Sequence, residues 1–349
     1  MLKRRAWALL PIWLVLATPL QAPPLPPVPG AAVATLSAVP VEPAIDDPVR
    51  DSSSLQFLGG WALRSSDWRF GGLSALAVRD GRALAISDAG TVLRFVLPGR
   101  PGFGKVAITP LPEPGRSSWA KANRDTESLV IDGERLWIGF EKRNAIWRYD
   151  AESLLPLARA RPRGMRQWPS NSGAEAMTRL PDGRFLVIAE GPKNGEEPSE
   201  ALLFSGDPTA AGTAAQRLRY VRPSGYRVAD AAALPDGRVL ILHRHLGATG
   251  LRGLVSIADV PERGVFRARP LAVLNPRFST DNFEGITIER GPDGLHLWLV
   301  TDDNFLGFQR TVLLRYALHL REKPAVASRQ SGLPSSPIEK DQAVAAWLF

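Results

Sequence analysis

The stretch ESLVIDGERLWIGFEKRNAIWRYD, Glu127–Asp150, holds three short apolar runs separated by two polar turns. The first run ends at Asp132-Gly133, the second is RLWIGF, and the third, AIWRYD, follows a loop of charged and amide side chains. Runs of five or six residues rich in β-branched and aromatic side chains, punctuated by Asp-Gly, have the chemistry of strands in hairpins. No long helical period runs through them. The stretch therefore predicts three antiparallel strands.

The same pattern recurs along the chain. It starts at Leu73 (LSALAVRDGRALAISDAGTVLRFVL), Glu127, Glu175 (EAMTRLPDGRFLVIAEG), Asp230 (DAAALPDGRVLILHRHL) and Glu284 (EGITIERGPDGLHLWLVTDDN), at intervals of 54, 48, 55 and 54 residues. Third runs include TVLRFVL, ALLFS, GLVSIADV and TVLLRYAL; fourth runs are KVAITPL, LLPLARA, RLRYV and RPLAVL. Four strands recurring at about 50 residues predict an all-β β-propeller. The last unit has no fourth run after it, whereas SLQFLGGWALRSS precedes the first unit from Ser54. Five four-stranded blades are expected, with this N-terminal strand completing the last blade and closing the ring. Six blades are the alternative, if the N-terminal run and the tail form a degenerate blade.

The 349-residue chain carries a net charge of +8 and has no cysteine. Disulfides, a thiol nucleophile and a cysteine zinc site are excluded. The basic balance favours anionic partners. Residues 1–22 read as an export signal, with Lys3, Arg4 and Arg5 before an apolar run too short for a membrane span. Residues 23–53, rich in Pro and Ala, read as an unstructured leader; residues 54–322 form the repeat domain and 323–349 a polar tail. An exported, periplasmic or secreted monomer is expected, without a membrane span after cleavage and without nucleic acid as partner.

In a propeller the first strand of each blade lines the axis. Glu127, Glu175, Asp230 and Glu284 stand at the starts of first strands, where unit one has Leu73. The second strands end at Asp88, Glu141, Glu190, Arg244 and Asp302. Carboxylates converging on one axis repel unless a cation or protons intervene. Glu127, Glu175, Asp230, Glu284 and Asp302 form the expected metal set; oxygen-only ligands favour Ca²⁺ or Mg²⁺ over zinc, and Ca²⁺ is the expected ion. Two other readings stay open: inherited acids that cap loop amides, and general acid–base carboxylates without metal. Glu127, Glu175, Glu190 and His243 are the catalytic candidates. Lys142, Arg143, Lys193, Arg244 and Arg310 are candidates for holding an anionic substrate.

DTESLVIDGERLWIGFEKRNAIWRYD, GAEAMTRLPDGRFLVIAEG and DNFEGITIERGPDGLHLWLVTDDN resemble the phytase-like family described as having esterase-like activity of phytase, over about Leu55 to Leu320. The resemblance implies an exported bacterial β-propeller-type protein that hydrolyses esters, including phosphate esters. Leu73 and Arg244 depart from the acidic pattern. No G-x-S-x-G, P-loop or H-E-x-x-H motif is present. Ser74 and Ser128 lie near the ring without an evident base, so metal-assisted hydrolysis fits better than a serine nucleophile. The competing expectation is a non-catalytic periplasmic binding or scaffold propeller, which would expose an aromatic patch from among Trp68, Trp119 and Trp168.

Overall fold

The computed structural model describes residues 30–43, 47–112, 124–170, 172–191, 197–247, 250–274 and 282–321. Lys193, Trp119, the signal segment and the tail beyond 321 lie outside the described residues. The described chain is all-β, with 3-10 turns at Pro48–Asp51 and Arg163–Met165. Two N-terminal strands, β1 (Ala32–Pro40) and β2 (Leu55–Ser65), precede the repeats.

The first unit is β3 (Leu73–Arg79), β4 (Arg82–Ser87), β5 (Thr91–Val96) and β6 (Lys105–Pro110). The second is β7 (Thr126–Asp132), β8 (Arg135–Phe140), β9 (Ala145–Asp150) and β10 (Pro156–Ala160). The third comprises β11 (Ala174–Arg179), β12 (Phe185–Ala189), β13 (Ser199–Phe204) and β14 (Ala215–Val221). The fourth has β15 (Arg227–Ala233), β16 (Val239–Gly247) and β17 (Gly250–Ala258), then β18 (Gly264–Arg267) and β19 (Arg269–Leu274). Here β19 is the outer strand, while β18 leaves to pair in parallel with β14 of the third unit. The last unit is β20 (Asn282–Gly291), β21 (Gly294–Asp302) and β22 (Thr311–Leu318). Each unit is an antiparallel meander in the order of the chain.

The Ser54 run takes the expected place: β2 pairs antiparallel with β22 as the fourth strand of the last unit. The leader needs a correction. Residues 32–40 are a strand, β1, bonded on one side to β6 and on the other to β2. The first and last units thereby share one nine-stranded sheet. The physical reason is a period of two hidden in small residues: Leu36 is buried in the core cluster between these units, with Ala34 and Ala38 packed against it. The outer edges of β6 and β2 offer unpaired backbone groups that β1 satisfies.

Five apolar clusters lie between neighbouring units. Leu84, Ile86 and Val92 of the first meet Leu136, Ile138 and Trp147 of the second. Leu76 and Leu93 of the first meet Trp298, Val300 and Leu313 of the last. The first strands touch in the order β3, β7, β11, β15, β20, and β20 touches β3. A cavity between the middle and the C-terminal ends of these strands is lined by residues from all five.

Candidate functional site

Every first strand carries a β-bulge near its start. The registers skip one residue between Leu73 and Ala75, Thr126 and Ser128, Ala174 and Ala176, Val228 and Asp230, and Phe283 and Gly285. The extra residues are Ser74, Glu127, Glu175, Ala229 and Glu284. A bulge re-aims a side chain that regular pleating would send elsewhere. Here it turns four of the five, all but Ala229, toward one cavity of about 290 Å³. The second strands deliver Asp88, Glu141, Glu190, Arg244 and Asp302 to the same cavity, one per unit.

This register corrects two expectations. Leu73 lies one residue before the ring position of its unit, and it is buried in the apolar cluster. Asp230 lies one residue after, and Ala229 holds the ring position. A slip of one residue sends a strand side chain to the opposite face. Asp230 accepts hydrogen bonds from the Ala231 amide at 2.8 Å and the Ile286 amide at 3.0 Å, tying β15 to β20. It does not line the cavity, and so leaves the expected metal set. Burial pushes its carboxyl well above the ordinary range, against the pull of the two amides.

Eight carboxylates line the cavity: Asp88, Asp125, Glu127, Glu141, Glu175, Glu190, Glu284 and Asp302. Three cations face them: Lys142, Arg227 and Arg244. Arg244 takes the place that an acid occupies in the other units. Its guanidinium donates to Glu190 at 2.8 Å, to Glu175 at 3.0 Å and to Glu284. Burial alone would lower its pKa, but Glu284, Glu175 and Glu190 outweigh that and raise it well above the usual value. Arg227 pairs with Glu190 at 3.1 Å and Lys142 with Asp125 at 2.7 Å, both from the cavity edge.

The opposite side has fewer cations. Asp125, Glu127 and Glu141 each place a carboxylate oxygen within 4.8 Å of the others, a grouping able to hold a metal ion. Burial, then Asp125 and Glu190, raise Glu141 to about 7. Burial raises Glu284 to about 7 against Arg244 and Asn282, whose Nδ2 donates to it at 2.5 Å. Glu127, Glu175 and Asp302 are pushed well above the carboxylate range, by burial first. Like-charge neighbours add to this: Glu175 and Asp125 at Glu127, Glu190 and Glu284 at Glu175, and Asp88 and Glu284 at Asp302. Gly72 keeps the site open between the first and last units. At its φ of +62° a Cβ would fall 2.5 Å from Asp88 Oδ1 and 2.4 Å from the Phe305 ring.

Other expected residues fall elsewhere. His243 is fully buried, bonded to the Tyr220 hydroxyl at 2.7 Å and the Leu254 carbonyl at 3.1 Å. Burial lowers its pKa to about 4, so it is a neutral core histidine outside the cavity lining. That corrects its catalytic assignment. Arg143 and Arg310 do not line the cavity. Ser128 is buried and donates to the Ala174 carbonyl at 2.8 Å. Trp168 is 5% exposed and donates to Glu200, so it supplies no open aromatic patch; Trp68 is 49% exposed. Sequence reasoning missed Asp125, Arg227 and Asn304. Asp125 and Arg227 share the place two residues before the bulge, where they face the end of the second strand.

The fold and the cavity define an all-β, propeller-like protein with an acid-lined site at the N-terminal ends of its first strands. A model of the phytase-like family, described as "Esterase-like activity of phytase", matches residues 68–305, and the chain belongs to that family. No curated protein matches it. Among solved structures it is similar to the glutaminyl cyclase of Myxococcus xanthus, at 13% identity and TM-score 0.42, over 77% of this chain and 97% of that one. It is also similar to RS223-β-xylosidase, at 13% identity and TM-score 0.42, over 73% and 94%. The β-propeller domain of Cps50 (Swd1) from Myceliophteria thermophila matches at 10% identity and TM-score 0.37, over 81% and 100%. None of these likenesses assigns this chain a substrate. Among the described residues, no helix is long and apolar enough to cross a membrane.

Proposed function

We propose that the chain is a five-bladed propeller, closed by β2, that hydrolyses phosphate esters outside the cytoplasm with a bound divalent cation. The observation that carries this reading is the charge imbalance in one cavity: eight carboxylates against three cations, two of the three held by acids across from Asp125, Glu127 and Glu141. Five inter-unit clusters and the β2–β22 pairing support the ring. Membership of the phytase-like family supports the ester chemistry. The N-terminal sequence of residues 1–22 supports export.

The donor set fits a hard cation. It is all oxygen, and Asp125, Glu127 and Glu141 are close enough to share one ion. Ca²⁺ suits such a site because it accepts irregular carboxylate geometry. When bound, the ion would supply Lewis-acid polarisation of a phosphoryl oxygen. The protein residues do the rest. Arg244 holds Glu175, Glu190 and Glu284 in fixed positions. With the ion bound, Glu141 would stay ionised as one of its ligands beside Asp125 and Glu127. Lys142 and Arg227, each about one-third exposed at the cavity edge, can orient an anionic ester.

The test is metal content of protein purified without chelator, melting with and without Ca²⁺, and hydrolysis of p-nitrophenyl phosphate. About one divalent ion per chain is expected. Glu127→Gln is expected to lose the ion and reduce hydrolysis at least 100-fold. Wild-type metal content and turnover in Glu127→Gln would reject the reading.

A further inference from the structure

The strands that carry the acid cavity at one end carry a cationic pocket at the other. It has a volume of about 420 Å³ and lies at the seam between the first and last units. The start of β4 contributes Arg82, the β5–β6 connection Arg100, and the β20–β21 hairpin Arg290; Arg315 of β22 and His296 of β21 complete the wall. Six residues separate His296 from Asp302 on β21, so the two sites stand about 20 Å apart along the strand.

The acids at this pocket are already engaged. Asp80 is paired with Arg79 at 3.4 Å. Glu289 accepts the Trp298 indole N–H at 3.0 Å. Asp293 accepts from His296 Nε2 at 3.0 Å. That contact leaves His296 Nδ1 to accept from Arg315 at 3.0 Å, while the Arg315 guanidinium lies over the Trp298 ring. Arg315 is therefore locked in place, and its buried Nε has no hydrogen-bond partner among the described residues. Arg100 and Arg290 are exposed, and among the described residues neither forms a salt bridge. A fixed guanidinium on the wall, with two unneutralised guanidiniums above it, suits the planar, multi-oxygen face of an oxyanion. The volume exceeds that of a bare inorganic ion and leaves room for an organic body.

We propose that this pocket binds a small organic anion through phosphate or carboxylate oxygens, bridging the first and last units. The site is separate from the acid cavity and does not depend on the reading given to that cavity.

The experiment is isothermal titration of the full chain with glucose 6-phosphate and, separately, with citrate, at matched ionic strength. The variants are Arg100→Ser/Arg290→Ser, which changes only exposed side chains, and Glu127→Gln in the acid cavity as control. At least one probe is expected to bind wild type with a Kd below about 1 mM. The paired arginine variant should weaken that binding at least tenfold, and Glu127→Gln should leave it within twofold. Binding of one probe alone would assign the oxyanion class. No binding of either probe up to 10 mM would overturn the proposal. Equal binding by the arginine variant, or loss confined to Glu127→Gln, would also overturn it.

Discussion

The second and fourth units share one backbone and differ at its most consequential places. In unit two the bulge residue is Glu127 and the second strand ends in Glu141; in unit four the same places hold Ala229 and Arg244. Unit two contributes Asp125, Glu127 and Glu141 to the cavity lining, and the cation it adds there is Lys142. Unit four removes an acid, leaves room with a methyl group, and sends a guanidinium across to three carboxylates of its neighbours. The bulged hairpin thus fixes where a side chain points, while residue choice sets the charge. One side of the cavity holds three carboxylates on a built-in guanidinium, and the other holds three close enough together to share a metal ion.

Removing the built-in cation is the sharpest way to break this contrast. Arg244→Met strands three buried carboxylates. It should cost about 3–5 kcal/mol in urea unfolding, the usual price of deleting one partner of a buried ion pair. Added Ca²⁺ should restore part of that loss. A variant as stable as wild type would show that the three acids are neutral in the folded protein. Asp230→Asn should have a smaller effect, about 1–2 kcal/mol, because it weakens one of two hydrogen bonds to buried amides. Its metal content should match wild type, and lost metal would return Asp230 to the ring.

The smallest effect is with pH, in chelator-treated protein. Glu141 and Glu284 titrate at about 7 when folded, above the ordinary glutamate value of 4.5. Between these values the folded state binds more protons than the unfolded state. Their contribution is therefore full below about 4.5 and is lost as pH rises through about 7. His243, lowered to about 4, acts in the opposite direction, but only below about 6.5. The window from pH 6.5 to 8 separates the raised carboxyls of the cavity from His243. Melting should fall there by a few degrees without Ca²⁺ and stay level with it. A flat metal-free profile would show that burial does not raise these two carboxyls in the folded protein.

The repeat was legible because each unit writes its strands in β-branched and aromatic residues and its turns in Asp-Gly. The acids were legible as types at recurring places, and Glu127, Glu175, Glu190, Glu284 and Asp302 do share a cavity. The bulge was not legible. Nothing in the composition of VADAAA shows that the ladder skips Ala229, so Asp230 looks aligned with Glu127 until hydrogen bonds are traced. β1 escaped because Ala and Pro mask its alternation, and only the buried Leu36 marks its inner face. His243 misled because a histidine beside Arg244 reads as surface chemistry, whereas its strand turns it into the core against Tyr220.

The pairing of β2 with β22 and the placement of β1 between β2 and β6 also set a timetable. Residues near 60 cannot find their sheet partner until residues near 315 exist, so the longest-range contact forms last. Loop-closure entropy over some 250 residues opposes that step, and non-local pairing of this kind is slow. A chain emerging N-terminus first can pair β1 with β2 and β6 early, but must keep the outer edge of β2 open while four units assemble behind it. A chain that lacks β22 leaves the outer edge of β2 exposed to pairing with other molecules.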